Sequence, residues 1–174
     1  MEKLKQLAIS GSDRPLDLGD FLTVLVAQGR LKIDTAEQLS MLRRSSTGET
    51  AKLHPLEFIA GQAPDDVSRP GKVLDMETLV RWLADEAEQP FYRIDPLKIN
   101  VAAVTPLMSF AFAQRHRILA LEVNEREVVV ASAQPFVSSW EANLVHVLKR
   151  EIRRVVASPA DIQRYSVEFF RLAR

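Results

Sequence analysis

Residues 127–157 read EVVVASAQPFVSSWEANLVHVLKREIRRVVA, and this stretch decides the fold class. Its two ends, 127–131 and 152–157, are rich in β-branched residues and predict strands. The segment between them predicts a helix that Ser138 and Glu141 open as a capping box. A strand, a helix and a strand in this order form a crossover unit, which favours a parallel strand pair. The predicted apolar face of the helix consists of Trp140, Leu144, Val147 and Leu148.

The residues before this unit predict a β-hairpin. Residues 118–123 are apolar and strand-like, and the polar residues 124–126 separate them from the strand at 127–131. Because hairpin strands are antiparallel, the hairpin and the crossover unit together predict a small mixed sheet. Helices would pack on this sheet, which gives an α+β fold class.

Helices and an irregular segment are predicted on either side of the sheet-forming residues. A short strand is expected at 91–94, an irregular connector at 96–100 and a helix at about 106–116. The last helix is expected to begin with Ser158 as its cap and Pro159 in its first turn. The residues that this helix should bury are Ile162, Tyr165, Phe169 and Leu172.

The first 63 residues predict a small helical unit. A helix is expected over 16–28, ended by Gly29. A second helix is expected to begin at Asp34, whose carboxylate would form a capping box with Glu37, and a short third helix is expected at 55–61. The residues on the buried side of the second helix should be Ala36, Leu39 and Leu42.

A linker is predicted between this unit and the rest of the chain. Residues 64–71 contain two prolines, a glycine and polar residues, without apolar periodicity, and their two adjacent aspartates are expected to be solvated. The predicted organisation is a helical unit at 1–63, a linker at 64–71 and an α/β domain at 72–174. Directly after the linker, Asp75 should cap a helix that runs to about Glu88.

The composition excludes several classes of enzyme. The last of the six glycines is Gly71, so residues 72–174 lack the glycine-rich loops of P-loop ATPases and Rossmann dehydrogenases. The chain has no cysteine and three widely separated histidines, so neither a thiolate zinc site nor a histidine metal site is expected. Of these histidines, His54 precedes Pro55 and is expected at a helix start. We therefore assign no catalytic, cofactor-binding or metal-binding residues and expect no enzyme activity in this chain.

Charge and hydropathy predict neither nucleic acid nor the bilayer as a direct partner. Lys plus Arg and Asp plus Glu both number 23, so the formal net charge is zero. No apolar run reaches the roughly 18 residues of a membrane span, and the N-terminus lacks a signal-peptide core, so a cytoplasmic location is expected. Two basic clusters, at 115–117 and 149–154, lie where cations stabilise helix ends. The alternative for these clusters is a phosphate or nucleotide site.

Three segments carry a resemblance to a known family. They are QPFYRIDPLKI at 89–99, VVVA followed by QPF within 128–136, and RVVA at 154–157 leading to Asp161 and Ile162. In their order and spacing they resemble the N-terminal domain of type II secretion and type IV pilus assembly ATPases, the GspE/PilB-like family. The resemblance covers roughly residues 74–174.

The resemblance implies a non-catalytic module. In this family the ATPase machinery lies in a later domain, so the 174 residues would be the N-terminal region of a longer chain, and hexamers would form only with that ATPase domain. The N-terminal domain of secretion ATPases is similar to an adaptor that docks on the cytoplasmic part of an inner-membrane platform protein, GspL in type II systems. The chain would then be cytoplasmic and peripheral to the inner membrane through this partner.

Some relatives in this family bind cyclic di-GMP, which is the alternative function that the resemblance implies. Their helical motif contains Arg-Leu-Gly, a later glycine and spaced leucines. Aligning that motif on the glycine and leucine at 29–31 places Asp20, Phe21 and Leu22 where Arg, Leu and Gly are expected. Aligning it on 18–19 leaves the second glycine three residues too late. The arginine that would contact the dinucleotide is therefore replaced by an acidic residue in the first alignment.

Overall fold

The computed structural model describes residues 13–173, and the first half of this range is helical. The predicted glycine stop after the first helix is confirmed, because Gly29 has a φ of +71°. The predicted cap at Asp75 is also confirmed, since its carboxylate accepts a hydrogen bond from the amide of Thr78. The helices are α1 (Leu18–Ala27), α2 (Ile33–Arg44), α3 (Gly48–Lys52), α4 (Pro55–Gln62) and α5 (Met76–Ala87).

Two predictions about α2 are wrong. The helix begins at Ile33, and no side chain caps it. Asp34 lies inside the first turn, where its charge is favourable because the amino end of a helix carries partial positive charge. Leu42 is exposed, whereas Ala36 and Leu39 are buried as predicted. Helix α3 is absent from the sequence-based prediction.

The second half contains the predicted mixed sheet. Its elements are α6 (Val101–Val104), α7 (Phe110–His116), β1 (Ile118–Val123), β2 (Glu127–Ser132), α8 (Glu141–Leu148), β3 (Glu151–Val156) and α9 (Pro159–Leu172), with short 3₁₀ turns at Pro96–Lys98 and Thr105–Leu107. The strand order is β1-β2-β3. β1 and β2 are antiparallel with one irregularity between Ala120 and Glu122, and β2 and β3 are parallel. The hairpin, the parallel crossover pair and the α+β class are therefore confirmed.

Two local predictions upstream of the sheet are wrong. The strand expected at 91–94 is reduced to one parallel bridge between Phe91 and Val156. The helix expected at about 106–116 begins only at Phe110. A proline-containing 3₁₀ turn occupies the residues where the longer helix was expected.

The capping box predicted for α8 is also wrong. Trp140 holds the N-cap position, and no side chain there accepts a hydrogen bond from the helix. The amide of Ser138 donates to Asp13, and the carboxylate of Glu141 accepts from Arg154. The hydrogen bonds to Asp13 and Arg154 take the place of the predicted capping box between Ser138 and Glu141.

The predicted apolar faces of α8 and α9 are confirmed except at Val147 and Leu172, and Leu148 and Tyr165 are partly buried against the sheet core. Val147 in α8 is 62% exposed, and Leu172 in α9 is exposed as well. The predicted cap of α9 is confirmed, because the hydroxyl of Ser158 accepts from the amide of Asp161. The buried residues on these faces are Trp140, Leu144, Ile162 and Phe169.

The buried apolar residues form two hydrophobic clusters. The first, which we call the helical core, comes from α1, α2, α4 and α5 and also includes Val156 of β3. The second, the sheet core, comes from the three strands and from α6 to α9. Helix α5 follows the predicted linker in the sequence, yet it packs in the helical core. The domain boundaries at 1–63, 64–71 and 72–174 stay a prediction. No helix among residues 13–173 has the length and apolar character needed to cross a membrane.

Residues 64–71 are fixed against the end of α1 through Asp66. The side chain of Asp66 is 0% exposed, so the expectation that it is solvated is wrong. It accepts hydrogen bonds from Arg30 Nη2 at 2.8 Å, Arg69 Nε at 2.7 Å and Ser68 Oγ at 2.6 Å. Burial by itself would raise the pKa of Asp66, but these hydrogen bonds hold the pKa well below its usual range. The carboxylate is therefore charged and fully paired.

Candidate functional site: the joint between the two cores

Residues 133–139, between β2 and α8, receive polar contacts from the helical half, and we call them the joint loop. His54 Nε2 lies 2.7 Å from the carbonyl oxygen of Ala133. Gln134 pairs with the backbone of Leu16, whose amide donates to Oε1 at 3.0 Å and whose carbonyl accepts from Nε2 at 3.3 Å. Asp13 Oδ1 accepts from the amides of Ser138 at 2.6 Å and Ser139 at 3.0 Å. The relative placement of the two cores thus depends strongly on this loop.

His54 is the buried member of this set of contacts. It caps α4 as the sequence predicts, since its Nδ1 accepts from the amide of Leu56 at 3.0 Å. With Nδ1 accepting, Nε2 carries the proton and donates to Ala133, so the ring is neutral. Burial lowers the pKa of His54 to about 4, although the hydrogen bond to Ala133 opposes this shift. The ring centroid lies 6.0 Å from that of Phe21 in the helical core.

A cleft of about 670 Å³ with several charged residues in its lining opens beside the joint loop. Its walls come from α3 and α4 on one side and from α7 and α9 on the other. Burial raises the pKa of Glu57 in this wall, and the nearby charge of Arg117 opposes the shift. The guanidinium of Arg117 and the ammonium of Lys52 make no hydrogen bond or ion pair with other residues in the described range 13–173. The charged residues in the lining of the cleft include Lys52, Glu57 and Arg117.

Arg117 holds a backbone conformation that glycine normally adopts. It ends α7 with a φ of 53°, in the left-handed region. Lys149 ends α8 in the same way, with a φ of 55°, but lies outside the cleft lining. Because the two positions share a backbone conformation and differ in their surroundings, they form a matched pair for substitution.

The two basic clusters identified in the sequence have different surroundings. Of residues 115–117, Arg117 alone lines the cleft. In the second cluster, Arg154 donates to Glu141 at 2.9 Å and to Ser132 Oγ at 3.1 Å, and its guanidinium lies 4.8 Å from the ring centroid of Trp140. Arg154 is therefore occupied by packing contacts. Arg153 also has a partner, since its guanidinium lies 3.7 Å from the carboxylate of Glu127.

Sequence reasoning missed the joint loop and the Asp66 network. Leu16 and Gln134 are 118 positions apart, and Arg30 and Asp66 are 36 apart, so no local periodicity or motif links them. The polar residues involved are of types common in loops. Among residues 13–173, no group of three or more histidine or acidic side chains could hold a metal ion.

Comparison with known proteins identifies the protein family that this chain matches. The family model described as the MshEN domain matches residues 87–174. The type IV pilus assembly ATPase TfpB of Acinetobacter baylyi is 36% identical over 154 residues, which are 88% of this chain and 26% of TfpB. The chain thus spans about a quarter of the length of this curated relative.

Two solved structures are similar in fold. A structure of MshE with cdg matches with a TM-score of 0.53 and 17% identity, covering 88% of this chain and 99% of that chain. The N-terminal domain of XpsE matches with a TM-score of 0.47 and 14% identity, covering 88% and 96%. At this level of identity, the likeness to MshE shows a shared fold and nothing further.

Proposed function

The chain belongs to the family of MshEN domains, the N-terminal non-catalytic domains of GspE/PilB-like ATPases, and on this premise we propose that it is a docking module. Its partner is the cytoplasmic domain of an inner-membrane platform protein, GspL-like in a type II secretion system. The module recruits an ATPase motor to the envelope machinery and is peripheral to the inner membrane through this partner. The motor lies outside the 174 residues.

The observation that carries this proposal is a rigid turn that displays Leu97. Leu97 is 94% exposed, at the centre of the 3₁₀ turn Pro96–Lys98. Its amide donates to Asp95 Oδ1 at 3.0 Å, while Ile94 and Ile99 on either side are buried in the sheet core. Single exposed leucines are common, but this one is held in place by a proline, a side-chain cap and two buried anchors. A side chain fixed in this way loses little conformational entropy when a partner covers it.

We expect Leu97→Asp to weaken binding to the cytoplasmic domain of the cognate platform protein by about tenfold or more, because a charge would have to enter an apolar contact. Isothermal titration calorimetry of the 174-residue chain against that domain measures the effect. Val147→Asp is the matched control, since Val147 is 62% exposed but lies on α8. Its binding should equal that of the wild type.

Two results would count against this proposal in different ways. If the wild-type chain fails to bind the platform domain at micromolar concentration, docking itself is excluded. If binding occurs and Leu97→Asp leaves it unchanged, docking stands and its assignment to the Leu97 turn is wrong.

A second candidate function is the sensing of cyclic di-GMP, which the charged side chains in the lining of the cleft favour. Arginine donates two hydrogen bonds to O6 and N7 of guanine, and a lysine ammonium neutralises a phosphate. Arg117 and Lys52 supply these groups, and neither side chain makes a hydrogen bond or a close ion pair in the described part of the chain, although Glu57 lies near enough to Arg117 to feel its charge. The half-buried carboxylate of Glu57 accepts hydrogen bonds, as the N–H groups of guanine require. Asp20, at one position where the family motif has arginine, is paired with Arg14 at 2.9 Å.

The test compares Arg117→Gly with Lys149→Gly. Both residues sit in the left-handed region, where glycine is unstrained, so neither variant should melt at a lower temperature than the wild type. We expect the wild type and Lys149→Gly to bind cyclic di-GMP equally and Arg117→Gly to bind about tenfold or more weakly. Calorimetry gives the affinities. A flat trace for the wild type excludes the sensor function, and equal binding by all three chains excludes the cleft as its site.

A further inference from the structure

An apolar groove lies open between α1 and α2, away from the joint loop and from the Leu97 turn. It has a volume of about 570 Å³. Ile33 and Met41 on its α2 side are each 63% exposed. The apolar residues of its lining are Leu22, Val26, Ile33, Ala36 and Met41. The α2 side of the groove thus presents exposed apolar side chains, while the α1 side supplies Leu22 and Val26 as its floor.

The groove also carries one charge of each sign, two helical turns apart. Glu37 and Arg44 both line it, seven residues or about 10 Å from each other along α2. Neither side chain makes a hydrogen bond or an ion pair with another residue of the described range 13–173. Arg43, the neighbouring cation, is in contrast occupied, because it donates to the carbonyl oxygen of Thr50 at 3.2 Å and lies over the ring of Phe58.

We propose that the occupant of this groove is a second copy of the chain, with the two α2 helices antiparallel about a twofold axis beside Ser40 and Met41. In a twofold interface each contact occurs twice. Antiparallel pairing centred at 40–41 sets Glu37 of each copy opposite the partner's Arg44, so both ion pairs form together. Met41 lies beside the axis, where its flexible side chain fills the space between the helices.

The charge order along α2 selects this arrangement. A parallel pair in register would set Glu37 against the partner's Glu37 and Arg44 against the partner's Arg44, and like charges in contact are destabilising. In the antiparallel pair, each Glu37 faces the partner's Arg44 instead, so both charge contacts are attractive. The interface is independent of docking through Leu97 and of ligand binding in the cleft, because no residue is shared.

Sedimentation velocity of the 174-residue chain from about 1 to 500 μM tests the proposal. We expect a reversible dimer that Met41→Asp abolishes. Glu37→Arg and Arg44→Glu should each weaken the dimer by about tenfold or more, since each creates two like-charge contacts. The double variant Glu37→Arg with Arg44→Glu should restore it, because the pairs are rebuilt with their signs exchanged.

A charge exchange elsewhere serves as the control. Arg164 and Glu168 form an exposed ion pair within α9, and exchanging them leaves the groove unchanged. That variant should dimerise as the wild type does. A wild-type chain that stays monomeric at the highest concentration overturns the proposal, and so does a double variant no better than the single ones. If a monomeric chain instead binds the platform domain and Met41→Asp abolishes this, the groove belongs to that partner and the proposal is wrong.

Discussion

An Asp66→Ala variant is expected to lose roughly 3 kcal/mol of the free energy of unfolding. The carboxylate that it removes is fully buried and accepts hydrogen bonds from Arg30, Arg69 and Ser68. Without it, the partly buried guanidinium of Arg30 keeps its charge and has no counterion in the network. The turn at 64–71 would also lose its side-chain contacts with Arg30, while the backbone hydrogen bond from the amide of Val67 to the carbonyl of Arg30 would remain. Urea denaturation followed by circular dichroism measures the loss.

The neighbouring aspartate provides the control for this prediction. Asp65 is exposed, and its carboxylate makes no hydrogen bond within the described residues. Asp65→Ala should therefore change the free energy of unfolding by less than about 0.5 kcal/mol. Equal effects of the two variants would show that the turn itself, rather than the buried carboxylate, determines stability here.

Acidification from pH 6.5 to about 4 is expected to remove roughly 3 kcal/mol of stability through His54. The folded-state pKa is about 4 and the unfolded value is 6.5. Between these values the unfolded chain binds a proton that the folded chain cannot accept at His54. Unfolding is therefore increasingly favoured as the pH falls through this window. Asp66 acts at lower pH, since its folded pKa lies well below the usual range of an aspartate and its contribution is lost only as the pH falls further.

The variant that isolates this effect is His54→Gln. Glutamine cannot titrate, so the free energy of unfolding should vary less between pH 6.5 and about 4 in the variant than in the wild type. His116, whose pKa burial also lowers, is present in both chains and cancels in the comparison. Parallel pH curves for the wild type and His54→Gln would show that protonation of His54 is not coupled to unfolding.

The elements that could be predicted from the sequence are those specified by local chemistry. The β-branched runs at 127–131 and 152–157 gave parallel strands, because a helix between two strands leaves few other topologies. Asp75 and Ser158 cap their helices because, among residues 13–173, no distant group forms a hydrogen bond with either side chain. The prediction failed at Ser138, whose amide is bound by Asp13 from 125 positions away. A capping pattern is therefore reliable only where no distant partner reaches it.

The candidate site could not be predicted for the same reason, because its contacts also join residues that are far apart in the sequence. Of its residues, His54 had a local signal, the proline that follows it, and this signal predicted a helix start but not the bond to Ala133. Arg117 was identified as a basic residue at a helix end, yet its position in the cleft depends on how α7 and α9 face α3 and α4. Such relations between elements arise from packing, which a single sequence does not encode in any short pattern.

The joint loop has a consequence for the order in which the protein matures on the ribosome. Leu16 is synthesised 118 residues before its partner Gln134, and the helical core needs Val156 from a strand made later still. At about 5–20 residues per second, the wait for Gln134 is roughly 6 to 24 s. During this time the apolar surface that Val156 later covers in the helical core stays open. The part of the molecule that is made first thus waits for residues that are made more than a hundred positions later, and chaperone contact during synthesis should matter for it.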